Sequence, residues 1–202
     1  MTAAKTIQNS CEAKQPVVCV FCGASEGTSP VHLDAARSLA TAFHKANIKL
    51  VYGGGTVGLM GEIARTLVSL SGPSSVHGII PQPLVKFEQN NRYGDSQPDH
   101  INKFIYGSGF VALSGGYGTF EELMEVTTWN QLGIHAMPVV LFNVAGYWSG
   151  LMEWVSNAVR SGFVNPENAG ILSEASTAEE VLRCLRNYRN APGRFQLTWE
   201  EQ

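Results

Sequence analysis

The chain has 202 residues, of which 44% are hydrophobic and 15% charged, and a formal net charge of -3. These proportions belong to a folded domain with a core, not to a disordered segment. A slightly acidic balance argues against a nucleic-acid or anionic-membrane binder, either of which needs a basic face.

Met1 to Gln15 is polar and lacks the apolar stretch of a signal peptide. No apolar run approaches the ~18 residues of a membrane helix; the longest is Val17–Cys22. A cytoplasmic location is therefore expected.

Val17–Cys22 reads as a first strand. Cys19 and Cys22 make a formal C-x-x-C, yet residues three apart on a strand face opposite sides, so both are expected to be buried packing residues. Cys11 and Cys184 complete the set. No second C-x-x-C or Cys/His cluster suggests zinc. Ser29-Pro30 predicts an N-cap and a first-turn proline for a helix over Val31–Ala46. Leu33, Ala36, Leu39, Ala40 and Phe43 share one face of it. Ile48–Tyr52 reads as a strand, Val57–Leu70 as a helix, and Val76–Ile80 as a strand stopped by Pro81 and Pro83. Strand Phe110–Leu113, helix Thr119–Gly133, strand Val139–Phe142 and helix Tyr147–Gly162 follow. Thr177 and Glu180 form a capping box opening a last helix to Tyr188.

Strands alternating with helices predict a parallel sheet covered on both faces, with ligands beyond the carboxyl ends of the strands. Those ends are rich in glycine and serine: Cys22–Ser25, Gly53–Thr56 and Ser114–Thr119. The crossover from Pro81 to Gly109 fits less well. Asn90–Asp99 is turn-rich, and the residues after it lack a helical stripe.

Gly53-Gly54-Gly55-Thr56-Val57-Gly58 satisfies G-x-G-x-x-G after a strand and at the start of a helix. Glycines there allow close backbone approach to an anion at the helix N-terminus. The other reading is tight turning and packing alone. An NAD site would also need an acid ending the next strand, and Val76–Ile80 has none. In Ser114-Gly115-Gly116-Tyr117-Gly118-Thr119-Phe120-Glu121-Glu122, Thr119 and Glu122 have capping-box spacing, which would make Glu122 structural. Alternatively, a carboxylate beside an anion cradle suits chemistry that builds positive charge, such as a sugar oxocarbenium ion.

VCVFCGAS (18–25), LVYGGGTVGLMG (50–61), VHGIIP (76–81), GGYGTFEE (115–122), EVTTWNQLGIH (125–135) and NVAGYW (143–148) together carry a family likeness. The chain resembles the LONELY GUY family of cytokinin riboside 5′-monophosphate phosphoribohydrolases, long mislabelled as lysine decarboxylases. Phe195–Trp199 is similar to the ending of fungal and yeast-type members. The resemblance implies a single-domain α/β fold, a Rossmann-like doubly wound parallel sheet, and a homodimer. It implies a nucleotide-binding domain over residues 16–190, between a polar tail (1–15) and a C-terminal tail (191–202). The implied substrate is an AMP-like, N6-substituted nucleoside 5′-monophosphate, cleaved at its N-glycosidic bond with no cofactor and no metal. Gly54, Gly55, Thr56, Gly115, Gly116, Gly118 and Thr119 would hold the phosphate and ribose. Ser25, Met60 and Glu121 would line the pocket, and Glu122 would be the catalytic carboxylate.

Two departures stand out. Ser114 replaces the proline of the family's P-G-G-x-G-T-x-x-E motif. A second family motif, D-M-H-x-R-K, is absent; its arginine is expected to bind nucleotide and assist departure of the base. One alignment places a missing segment between Gly107 and Ser108, and a sequence lacking residues there would show a Cα separation beyond the ~3.8 Å of a trans peptide. Another matches Pro98-Asp99-His100, with Asn102 in place of the arginine beside Lys103. Arg92 or Lys103 could substitute for it; His100 receives no role. The alternative function is a non-catalytic nucleotide-binding member of the same fold. His77 and His135 are expected to be packed or surface residues, and Trp129, Leu132 and Ile134 core or dimer contacts. A decarboxylase would need a pyridoxal-phosphate lysine, and Lys45, Lys49 and Lys86 all lie away from the glycine turns.

Overall fold

The computed structural model describes residues 15–80 and 108–195. Six parallel strands form one sheet: β1 (Val17–Phe21), β2 (Lys49–Tyr52), β3 (Val76–Gly78), β4 (Gly109–Ala112), β5 (Val139–Phe142) and β6 (Leu172–Ala175). Their order is β3-β2-β1-β4-β5-β6. The chain winds outward from β1 in one direction and from β4 in the other, so the strand order reverses between β1 and β4. That reversal opens the crevice where ligands of doubly wound sheets bind.

Five helices of ten or more residues cover the described sheet: α1 (Val31–Lys45), α2 (Gly58–Ser71), α3 (Tyr117–Gln131), α4 (Ser149–Arg160) and α5 (Ala178–Asn187). Strand alternation decides what each face buries. Val18, Val20, Leu50, Val111 and Val140 meet Leu39 and Phe43 of α1, Ile63 and Leu67 of α2 and Val181 of α5. On the other face, Cys19, Phe21, Phe110 and Leu141 meet Leu123 and Val126 of α3, Trp148, and the inner side of α4. The α1 face is as expected: Ala36, Leu39, Ala40 and Phe43 are buried and Leu33 partly so. Cys19 and Cys22 sit in opposite cores, and burial raises both thiols, that of Cys22 to about 12. They are packing residues, inert at neutral pH.

Several sequence expectations are corrected. Ser29 does not cap α1; Pro30 occupies the N-cap position, with no side-chain cap. Helix α3 begins at Tyr117, after Gly116, so Thr119 lies within its first turn and makes no capping box with Glu122. A 3₁₀ turn over Val144–Gly146 delays α4 to Ser149. Ile134 is 41% exposed, so it is not a core residue. Strand β6 escaped the sequence analysis because it is an edge strand whose middle residues, Ser173 and Glu174, are polar. The box at α5 does form: Thr177 accepts from the Glu180 N–H, and the Glu180 carboxylate accepts from the Ser176 N–H at 2.8 Å.

The β3-to-β4 crossover runs through residues 81–107, outside the described residues. With it lie the expectations attached to Pro81, Pro83, Lys86, Arg92, Pro98–His100, Asn102, Lys103 and the Gly107–Ser108 step, and likewise Cys11 and the ending beyond Phe195.

Candidate active site

The carboxyl ends of β1 and β4 are drawn together by glycine. The Gly23 N–H donates to the Ser114 carbonyl at 3.0 Å, and the Gly23 carbonyl accepts from the Met60 N–H at 3.2 Å. A Cβ on Gly23 would lie 3.3 Å from the Gly115 Cα. Between these turns opens a cleft of about 750 Å³, within the usual range for a small-molecule site.

Its floor is the start of α3. Side chains added at Gly116 or Gly118 would meet nothing within 4 Å, so both backbones face open space. The first turn of a helix presents N–H groups with no intrahelical partner, and the helix dipole adds positive potential. Thr119 lines this wall and is buried against Gly115, leaving no room there for a Cβ. One turn further on, Glu121 and Glu122 border the same cleft. Burial first, then the charges of Glu121 and Glu125, push the Glu122 carboxyl up to about 7. Among the described residues no hydrogen bond or ion pair engages it.

A family model described as possible lysine decarboxylase matches residues 60–185. A bifunctional cytokinin biosynthesis protein of Fusarium pseudograminearum (strain CS3096) is 47% identical over 211 residues, covering 93% of this chain but only 43% of that protein. The cytokinin riboside 5′-monophosphate phosphoribohydrolase LOG1 of Arabidopsis thaliana is 39% identical, covering 94% of this chain and 92% of LOG1. The chain belongs to the LONELY GUY family. The Moco carrier protein of Chlamydomonas reinhardtii shares the fold of this LONELY GUY protein at a TM-score of 0.61 and 18% identity, over 86% of this chain and 96% of that one.

The expected site residues of this LONELY GUY chain divide into two groups. Ser25, Met60, Gly115, Gly116, Gly118, Thr119, Glu121 and Glu122 line one cleft. Gly54, Gly55 and Thr56 do not. Gly54, at φ +74°, presses on Ile79 and Ile80, and Gly55 on the Met60 side chain. The Thr56 carbonyl accepts from Arg65 at 2.8 Å. Of that turn only Gly53 reaches the cleft. The described neighbours of Gly54 and Gly55 are thus packing contacts at the rim of the cleft that Gly53 and Met60 line.

Two cleft side chains that bond to the Ser114–Gly115 turn were missed. His32, from the first turn of α1, pairs through Nδ1 with the Ser114 hydroxyl at 2.9 Å. The Tyr147 hydroxyl donates to the Gly115 carbonyl. No local pattern marks His32, because its partner is 82 residues away. Tyr147 had a weak signal in NVAGYW but no role attached to it. His135 is a packed residue, as expected. Its Nε2 donates to the Val126 carbonyl, its Nδ1 accepts from the Met137 N–H, and burial lowers its basicity. Arg194 ties the following segment to the end of α3 through the Asn130 and His135 carbonyls. Among the described residues no group of three His, Cys, Asp or Glu side chains could hold a metal ion, and no helix is long and apolar enough to cross a membrane. No lysine is among the described residues lining the cleft.

Proposed function

We propose that this chain hydrolyses the N-glycosidic bond of an AMP-like, N6-substituted nucleoside 5′-monophosphate. The C1′–N bond breaks, and the base leaves with the bonding electrons. Water supplies oxygen to C1′ and a proton to the base, giving free base and ribose 5-phosphate. The observation that carries this reading is Glu122, one turn inside the helix whose open N-terminus faces the same cleft. The Gly116–Thr119 N–H groups suit a phosphate dianion. The Glu122 carboxylate then lies on the ribose side, where it stabilises positive charge at C1′ or orients the attacking water. The relatives' names point the same way: the two described above are a cytokinin biosynthesis protein and a cytokinin riboside 5′-monophosphate phosphoribohydrolase.

The test is incubation of the whole chain with isopentenyladenosine monophosphate, AMP or NAD, followed by chromatography of the base. Free base with equimolar ribose 5-phosphate is the expected result. AMP binding without turnover would instead select the non-catalytic reading, and preferential NAD binding would reject both.

The working unit we propose is a cytoplasmic homodimer, built on the domain spanning residues 16–190. Its support is an apolar face made by α3 and α4. Phe120 and Trp154 are 44% and 53% exposed there, and line one groove with Met124 and Leu151. A charge at the centre of such a face removes association. Trp154→Glu is expected to convert a dimer into a monomer by sedimentation velocity; a monomeric parent would reject the dimer.

A further inference from the structure

The turn that precedes α3 is Ser114-Gly115-Gly116, a stretch with little intrinsic rigidity. Each glycine gives up more backbone freedom on ordering than any other residue. Something must therefore hold the turn before a ligand arrives, or the ligand's binding energy is spent ordering it. The structure shows what holds it. Ser114 is only 6% exposed, its carbonyl accepts from Gly23, and its hydroxyl is paired with His32 Nδ1 at 2.9 Å. The adjoining Gly115 carbonyl is gripped by the Tyr147 hydroxyl. The His32 and Tyr147 rings meet edge to face, their centroids 6.0 Å apart. A Cβ on Gly27 would lie 3.1 Å from His32 Cδ2, so the imidazole is also confined from the β1 side. Two segments distant in sequence, the stretch from Gly23 to His32 and the turn carrying Tyr147, thus converge on two residues of the cradle.

We propose that His32 is a positioning residue. Through Ser114, and backed by Tyr147, it fixes the Ser114–Gly115 turn so that the first-turn N–H groups of α3 are aimed at the phosphate before binding. Its function is preorganisation of the anion cradle, not proton transfer to the base or sugar. A buried hydroxyl that loses its partner also incurs a desolvation cost, so either half of the pair removes the same support. The kinetic part of the test rests on the phosphoribohydrolase reading; the binding part does not.

The experiment is a double-mutant cycle in the full chain with His32→Ala, Ser114→Ala and the double variant, plus His32→Asn, whose amide can replace Nδ1. Affinity for ribose 5-phosphate is measured by calorimetry, and KM and kcat with AMP or isopentenyladenosine monophosphate. Each single variant is expected to weaken ribose 5-phosphate binding and raise KM by about three- to tenfold, with kcat held within about twofold. The double variant should be no worse than the singles, and His32→Asn should recover most of the loss, which also shows that the site still folds. Additive losses would overturn the proposal, as would singles indistinguishable from the parent. A collapse of kcat in His32→Ala alone, at unchanged affinity, would also overturn it by making His32 a catalytic residue. If the parent binds ribose 5-phosphate but cleaves no nucleotide, the enzymatic reading fails while the binding cycle still decides the brace. If it binds neither, both fall.

Discussion

Glu122→Gln is expected to lower turnover of a nucleoside 5′-monophosphate by about 10²- to 10⁴-fold while changing KM only a few-fold. The amide keeps the shape of the side chain and removes only its charge, so the loss reports charge placed against the transition state and not against the bound substrate. The same charge has a cost in the free protein. Burial and the neighbouring Glu121 and Glu125 hold the carboxyl up at about 7, and no partner among the described residues offsets them. Between the ordinary value of 4.5 and about 7, the folded chain keeps a proton that the unfolded chain has released. Stability from this group is therefore fully present below the lower value and is lost as pH rises through the upper one. Glu122→Gln should accordingly be more stable than the parent at pH 8, by about 1 kcal/mol because the carboxyl is only part-buried, and no different at pH 4. Activity should run the other way, rising as Glu122 ionises near pH 7. Glu121→Gln should move that rise to lower pH. Chemical denaturation at the two pH values and a kcat–pH profile check both halves. Full activity in Glu122→Gln would remove the carboxylate from the mechanism.

This opposition between function and stability explains why the sequence alone left Glu122 open. Its spacing from Thr119 fits a capping box, and only the position of Gly116 as N-cap removes that reading. At Thr177 and Glu180 the same spacing does form the box, because α5 starts one residue after the threonine. The register of a helix start, set by how β4 delivers the chain, is tertiary information that spacing cannot carry. The alternation of strands and helices was legible because each buried strand is a dense apolar run. Edge strand β6 was not, since half of its residues, Ser173 and Glu174, are polar. The cleft's α3 wall was legible from Gly115 to Glu122, where the glycine turn and the helix start that line it are contiguous in sequence. His32 and Tyr147 were not, since both act on that wall from other elements.

Glycine substitutions should separate packing from ligand approach. Gly58 opens α2 at φ +59°, and a Cβ there would overlap the Ala24 carbonyl group and the Ser25 nitrogen. These are backbone atoms with no rotamer by which to move aside. Gly58→Ala therefore combines left-handed backbone strain with overpacking, and is expected to cost about 3–5 kcal/mol. The displaced segment, Ala24–Ser25, lines the cleft, so binding should weaken as well. Gly116→Ala is the contrast. Its φ is -97°, open to any residue, and its added methyl would meet no protein atom within 4 Å. Its stability should stay within about 0.5 kcal/mol of the parent. The methyl instead projects over the helix start where the phosphate is expected, so affinity for AMP or ribose 5-phosphate should fall at least tenfold. Urea titration and calorimetry on the two variants give opposite orders of severity if the anion sits on α3. Equal binding by Gly116→Ala and the parent would move the phosphate elsewhere, because a cradle built from backbone N–H groups cannot tolerate a side chain in the space its ligand fills.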